Sequence, residues 1–60
     1  MRTMKWKVIT DRDEEIKIEK IAPDTYLICS KDRCTRVTAE MATMFLEEAR
    51  QKGYRIIPLD

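Results

Sequence analysis

The last third of the chain, residues 38–59, constrains the fold most, because it predicts one capped helix followed by a short strand. Thr38 is a favourable N-cap, and Glu40 lies in the first turn, where a carboxylate meets the positive end of the helix. Gly53 supplies the left-handed residue that commonly follows a helix. At ~100° per residue, one broad apolar face contains Ala39, Met41, Ala42, Phe45, Leu46 and Ala49. An amphipathic helix of this kind needs a neighbouring element to cover that face.

Short strands are predicted on both sides of this helix. Residues 4–8 and residues 15–19 alternate between apolar and charged side chains, which is the period of a half-buried strand. Residues 26–29, 35–37 and 54–57 are further short strand candidates. We therefore predict a single α+β domain over residues 1–60, in which a small antiparallel sheet of β-β-β(-β)-α-β order carries one amphipathic helix on one face.

The third strand is apolar on both sides. Tyr26 and Ile28 point one way while Leu27 and Cys29 point the other, a pattern typical of a strand covered on both faces. One helix covers only one side of a small sheet, so a partner chain is one candidate for the second cover. The alternative is a face that is only partly shielded, which is common in small proteins.

A protein interface follows from the same reasoning. Met44 lies off the main apolar arc of the helix, beside Met41, and exposed methionines are frequent on adaptable contact surfaces. A single exposed apolar side chain is also ordinary. The residues predicted for a protein interface are Tyr26, Leu27, Ile28, Met41 and Met44.

Cys29 and Cys34 flank a predicted hairpin. Lys31 and Asp32 are a poor pair for a two-residue turn that needs positive φ, so we expect a four-residue loop over residues 30–33. Either loop length places the two cysteines directly opposite each other. They can form a disulfide, or they can be two small buried hydrophobic residues that a reducing cytosol keeps as thiols. The sequence leaves both interpretations open.

A basic surface is the basis of a second functional hypothesis. If the first strand lies near the hairpin, a nucleic-acid patch would contain Lys5, Lys7, Lys31, Arg33 and Arg36. Aromatic side chains at positions 6, 26 and 54 could stack on bases. The alternative is that strand lysines protect an edge from aggregation and that the aromatic residues belong to the core. The net charge of +1, from 12 basic and 11 acidic residues, gives no strong attraction to nucleic acid.

Composition argues against several functional classes. The chain has no His, one Gly and no Gly-rich phosphate loop, so we expect no catalytic site, metal or cofactor. No apolar run approaches the ~18 residues of a membrane span, and residues 1–7 lack the apolar core of a signal peptide. We expect a cytoplasmic protein with no membrane partner and no small-molecule ligand. The favoured function is a non-catalytic interaction or regulatory protein, acting as a homodimer or bound to a larger protein. The alternative is a small nucleic-acid-binding module that uses the basic strand and hairpin surface.

Overall fold

A computed structural model describes residues 4–59 as a five-stranded antiparallel sheet with one helix packed against it. The elements in chain order are β1 (Lys5–Ile9), β2 (Glu15–Ala22), β3 (Thr25–Ser30), β4 (Arg33–Thr38), α1 (Ala39–Gln51) and β5 (Arg55–Pro58). The strands lie side by side in the order β4-β3-β2-β1-β5. The predicted α+β class and element order are confirmed, while the position of β5 beside β1 had not been predicted.

The core lies between α1 and one face of the sheet. Val8 on β1 and Ile18 on β2 have no exposed surface, and Ala49 on the helix is 3% exposed. Register places Val8 opposite Ile16, and Ile18 opposite Ile28, so one face of neighbouring strands is continuously apolar. The half-buried side chains packed on this centre are Trp6, Ile16, Tyr26, Ile28, Phe45, Leu46, Tyr54 and Ile56.

The helix begins and ends where the sequence predicts. Thr38 Oγ1 accepts a hydrogen bond from the backbone N–H of Met41 at 3.2 Å, which satisfies one free donor of the first turn. Gly53 has φ of 79°. Its N–H donates to the carbonyl of Arg50, and the next N–H, of Tyr54, donates to the carbonyl of Ala49. This pair of bonds is a Schellman motif, which explains why a glycine ends the helix.

The exposure of Met41 shows that the predicted apolar face of the helix was too broad. It is 56% exposed, whereas Ala42, one helical step of about 100° away, has no exposed surface. The sheet contacts only a narrow stripe of the helix, which contains Ala42, Phe45, Leu46 and Ala49. Met41 lies just outside that stripe, because a straight helix on a small sheet can bury little more than 100° of its circumference.

The expected four-residue loop between β3 and β4 is wrong. Ser30 pairs with Arg33, so the loop contains only Lys31 and Asp32. Lys31 adopts a positive φ of 50°, which costs a side-chain-bearing residue about 1–2 kcal/mol. The ladder from Thr25–Thr38 to Ser30–Arg33 is unbroken. We attribute the tight turn to this ladder, whose pairing outweighs the cost of one left-handed lysine.

Replacing Ile18 with alanine should destabilise the fold by about 2–5 kcal/mol, because it removes a fully buried side chain and leaves a cavity. Urea unfolding followed by circular dichroism measures this change. Ile21, on the same strand, is 46% exposed, so Ile21→Ala is the matched control and should change stability by less than about 0.5 kcal/mol. Equal losses for the two variants would contradict the position of the core.

Candidate interaction surface

One face of the sheet is turned away from α1, and no element within residues 4–59 packs over it. Strand alternation and register define the members of this open face. They are Lys5, Lys7, Ile9, Glu15, Lys17, Glu19, Leu27, Cys29, Cys34, Arg36, Arg55 and Ile57. The open face is therefore mixed, with charged side chains interleaved among a few apolar ones.

Ion pairs join the charged side chains at the centre of the open face. Lys5 Nζ lies 3.9 Å from Glu19 Oε2, and Lys7 Nζ lies 3.2 Å from Glu15 Oε1. Both pairs connect β1 with β2. Exposed pairs of this kind contribute at most about 1 kcal/mol each. Their main consequence is that the two lysines of β1 already have carboxylate partners within the chain.

Lys17 occupies the middle of the open face. It is directly opposite Lys7 on β1, and Glu15 and Glu19 flank it along β2. Like charges directly opposite each other destabilise a sheet, whereas neighbouring carboxylates offset that effect. Lys17 borders two shallow depressions, of about 730 Å³ and 450 Å³. The charges around it are nearly balanced, so the centre of this face attracts neither anions nor cations strongly.

A disulfide lies at the edge of the same face. Cys29 on β3 and Cys34 on β4 are direct cross-strand partners, with an S–S distance of 2.04 Å and a Cα–Cα distance of 4.0 Å. Cys34 is exposed and Cys29 is half-buried. Of the two interpretations that the sequence left open, the structure shows the bonded one, and the bond ties the edge strand to the sheet.

The residues of the predicted nucleic-acid patch separate into two groups. Lys5 and Lys7 are held in the ion pairs at the centre of the open face. The second group, here called the hairpin cations, consists of Lys31, Arg33 and Arg36, which form no ion pair within the described residues 4–59. Alternation places Arg36 on the open face and Arg33 on the opposite one. Three cations without an ion pair among the described residues therefore lie together at the β3–β4 hairpin, with Asp32 between two of them.

The aromatic side chains proposed to stack on bases lie on the helix side of the sheet. Trp6 and Tyr26 stack on each other with ring centroids 6.2 Å apart, and both pack against the core together with Tyr54. Lys52 Nζ lies 5.8 Å from the centroid of the Tyr54 ring. None of the three aromatic residues belongs to the open face, so the hairpin cations have no aromatic platform beside them.

The residues predicted for a protein interface also lie on different surfaces. Tyr26 and Ile28 are half-buried and pack against the core beneath the helix. Leu27 is half-buried on the open face. Met41 and Met44 are 56% and 66% exposed on the helix. Only the methionines present a large exposed apolar surface among the predicted residues.

An exposed apolar patch that the sequence analysis missed lies near the turn between β2 and β3. Met4 is 47% exposed and Ile21 is 46% exposed. Both line a depression of about 290 Å³ together with Lys20, Ala22 and Pro23. The register of β2 shifts between Lys20 and Ala22, which displaces Ile21 from regular alternation. The consecutive apolar residues Ile21, Ala22 and Pro23 are the sequence signal that could have located this patch.

The pKa of Lys52, at the end of the helix, is shifted by its contact with Glu48. Its Nζ donates a hydrogen bond to Glu48 over 3.0 Å. That bond, followed by the Coulombic attraction of the same carboxylate, raises the pKa of Lys52 above its ordinary value. Since the folded-state pKa is raised, the contribution is present at neutral pH and is lost as the pH rises through that pKa. The pair lies in solvent and stabilises the helix end only weakly.

Comparison of the chain with protein-family models, with curated proteins and with solved structures gave no significant match. Within residues 4–59, no group of three or more His, Cys, Asp or Glu side chains is arranged to hold a metal ion. No helix in this part of the chain is both long and apolar enough to span a membrane.

Reduction of the disulfide should lower the free energy of unfolding by about 2 kcal/mol, the value for a loop this short in the chain-entropy estimate. Urea unfolding with and without dithiothreitol measures the difference. A Cys29→Ser/Cys34→Ser double variant is the control, because it should be less stable and insensitive to reductant. Identical stability of the oxidised and reduced wild-type proteins would contradict a stabilising role for the bond.

Proposed function

We propose that this chain is a non-catalytic interaction or regulatory protein that acts as a homodimer or bound to a larger protein. The observation that supports the proposal is the exposure of Met41 and Met44, 56% and 66%, on the same helix whose other side forms the core. Flexible thioether side chains adapt to partner surfaces of different shapes. An exposed apolar area of this kind is typical of a contact site.

The small core supports the same proposal. Within residues 4–59, the buried hydrophobic residues are Val8, Ile18, Ala42 and Ala49. A domain of this size buries a modest fraction of its surface and is marginally stable alone. Burial of the methionines against a partner would add apolar contact that the chain does not make internally. Stability would then rise with the concentration of that partner.

The helix surface is a better candidate for self-association than the open face. A two-fold interface must be self-complementary, since each copy contributes the same patch. The lysines at the centre of the open face already pair with Glu15 and Glu19, and its apolar side chains are half-buried between charged neighbours. Burial of Met41 and Met44 breaks no ion pair, so two copies can pack these side chains against each other.

Met44→Glu should reduce self-association, since it places a charge in the proposed apolar contact. Light scattering and a melting curve at several protein concentrations measure the effect. Thr43→Glu is the matched control, because Thr43 is exposed on the adjacent helix position about 100° away. The wild type and the control should show a dimer mass and a melting temperature that rises with concentration, whereas Met44→Glu should show neither.

A wild-type monomer at high micromolar concentration would rule out the homodimer. A photo-crosslinker at position 44, with position 43 as the control site, then tests for a larger protein partner. Adducts at position 44 that persist at high salt and after nuclease treatment support a protein contact.

Nucleic-acid binding is the second candidate function, and the unpaired hairpin cations Lys31, Arg33 and Arg36 favour it. Binding through phosphates would weaken steeply with salt, whereas an apolar protein contact would not. The packing of Trp6 and Tyr26 in the core removes base stacking from this candidate. Loss of association on nuclease treatment would therefore replace the first proposal with the second.

We also propose a cytoplasmic location. Persistent disulfides are uncommon in the cytosol except in hyperthermophiles, whose intracellular proteins are rich in them. The chain has 38% charged residues, one Gln and no Asn, which agrees with such a source. Alkylation of thiols in intact source cells, followed by mass spectrometry, should recover Cys29 and Cys34 unmodified in the cytosolic fraction. Recovery of the oxidised protein only from an extracytoplasmic fraction would contradict this location.

A further inference from the structure

We propose that the edge strand β4 is a docking site for an extended acidic segment of another protein, which adds to the sheet beside β4. The inference rests on the proposed function, since it names the class of partner and the surface that such an interaction protein would use. Addition of a strand to a sheet edge is a common mode of peptide recognition, in which backbone hydrogen bonds give affinity and side chains give specificity.

The two edges of the sheet differ in their availability. β5 is four residues long and ends in Pro58, which has no N–H to donate. β4 is six residues long, contains neither Pro nor Gly, and is exposed at every position except Val37. Proteins usually blunt their edges by short strands, by proline or by charged side chains. β5 uses the first two devices, whereas β4 has only its charged side chains and keeps an unbroken backbone edge.

The register identifies the backbone groups that β4 presents to a partner. A two-residue hairpin loop is closed by a hydrogen-bonded pair, here Ser30 and Arg33. The next pair, Cys29 with Cys34, is then a non-hydrogen-bonded pair, in agreement with its short Cα–Cα distance of 4.0 Å. Backbone N–H and C=O groups of such a residue point away from the neighbouring strand. By alternation, Cys34 and Arg36 direct theirs toward the free edge.

Contacts within the chain fix both ends of β4 before a partner binds. The disulfide joins β4 to β3 at Cys34, and Thr38 at the end of β4 is the N-cap of the helix. The backbone N–H of Ala39 also donates to the carbonyl of Asp24 at 3.0 Å. A strand fixed at both ends loses little conformational freedom on binding, which favours affinity.

The charge of the hairpin selects an acidic occupant. β4 carries Arg33 and Arg36 and no carboxylate, while the charges of Lys31 and Asp32 in the preceding turn offset each other. The two arginines are on opposite faces of the sheet. Glutamates on an added strand, three positions apart, would therefore each lie opposite one arginine. A second copy of β4 would bring two more arginines and no carboxylate, so like charges disfavour self-pairing at this edge.

A synthetic peptide tests the proposal directly. The probe contains two glutamates three positions apart among valines and threonines, and the control peptide carries lysines in their place. Titration into isotope-labelled, oxidised protein, followed by amide NMR, should shift the signals of Cys34 and Arg36 and slow their hydrogen exchange. The lysine peptide should leave these signals unchanged. Methylation of the backbone nitrogens of the acidic peptide should abolish its binding, because the methylated nitrogens can no longer donate hydrogen bonds to β4.

Charge reversal on the protein provides matched variants. Arg33→Glu/Arg36→Glu should weaken binding of the acidic peptide by about tenfold or more and allow the lysine peptide to bind. Arg55→Glu is the control, because it makes one such charge reversal on the other edge strand, where Arg55 is also exposed. This control should bind the acidic peptide like the wild type. Circular dichroism verifies that every variant is folded.

Three results would overturn the proposal. The first is binding of both peptides alike, or shifts confined to other amides. The second is concentration-dependent protection of Cys34 and Arg36 in the protein alone, which would show that a second copy occupies the edge. The third is salt-sensitive binding of a single-stranded oligonucleotide at these amides without binding of the acidic peptide. The Met44→Glu experiment is independent of β4, so the docking site can fail while the proposed function stands.

Discussion

The packing of Val8 and Ile18 against Ala49 is the interaction on which the rest of the structure depends. These three residues form the buried centre that joins β1 and β2 to the helix. Because one helix covers one face, their burial decides which face of every strand becomes core and which remains open. It also fixes the rotation of the helix, so that the narrow stripe around Ala49 is covered and Met41 and Met44 are left in solvent. The candidate interaction surfaces are consequences of this one contact.

The open face shows how a small protein can leave a sheet uncovered. Lysines and glutamates on β1 and β2 pair across the strands, and the half-buried Leu27 lies among charged neighbours. Long charged side chains can shield apolar surface with their methylene stems. The alternative considered for the sequence, a face that is only partly shielded, therefore describes the isolated chain. The surfaces proposed to contact a partner are therefore the helix methionines and the β4 edge, and not the open face.

The β3–β4 hairpin combines three local features with different physical origins. A covalent bond joins Cys29 and Cys34, a left-handed Lys31 closes the turn, and the arginines of β4 lack carboxylate partners within the described residues. The bond and the turn limit the motion of the edge, while the charges determine what can approach it. The hairpin is therefore both the most constrained edge of the sheet and the most positively charged.

The sequence by itself determined the features that depend on neighbouring residues. Thr38 and Gly53 define the helix because caps are made by local hydrogen bonds and backbone angles. Strand alternation follows from a period of two, and the opposition of Cys29 and Cys34 follows from a hairpin loop centred between them. Only the tertiary structure decided the strand order, the place of β5 beside β1, the partners of Lys5 and Lys7, and the exposure of Met41. Each of these depends on contacts between residues distant in the chain, whose free energies no local pattern contains. For the same reason, the sequence suggested the basic patch but could not show that, among the described residues, Lys5 and Lys7 form ion pairs and the hairpin cations do not.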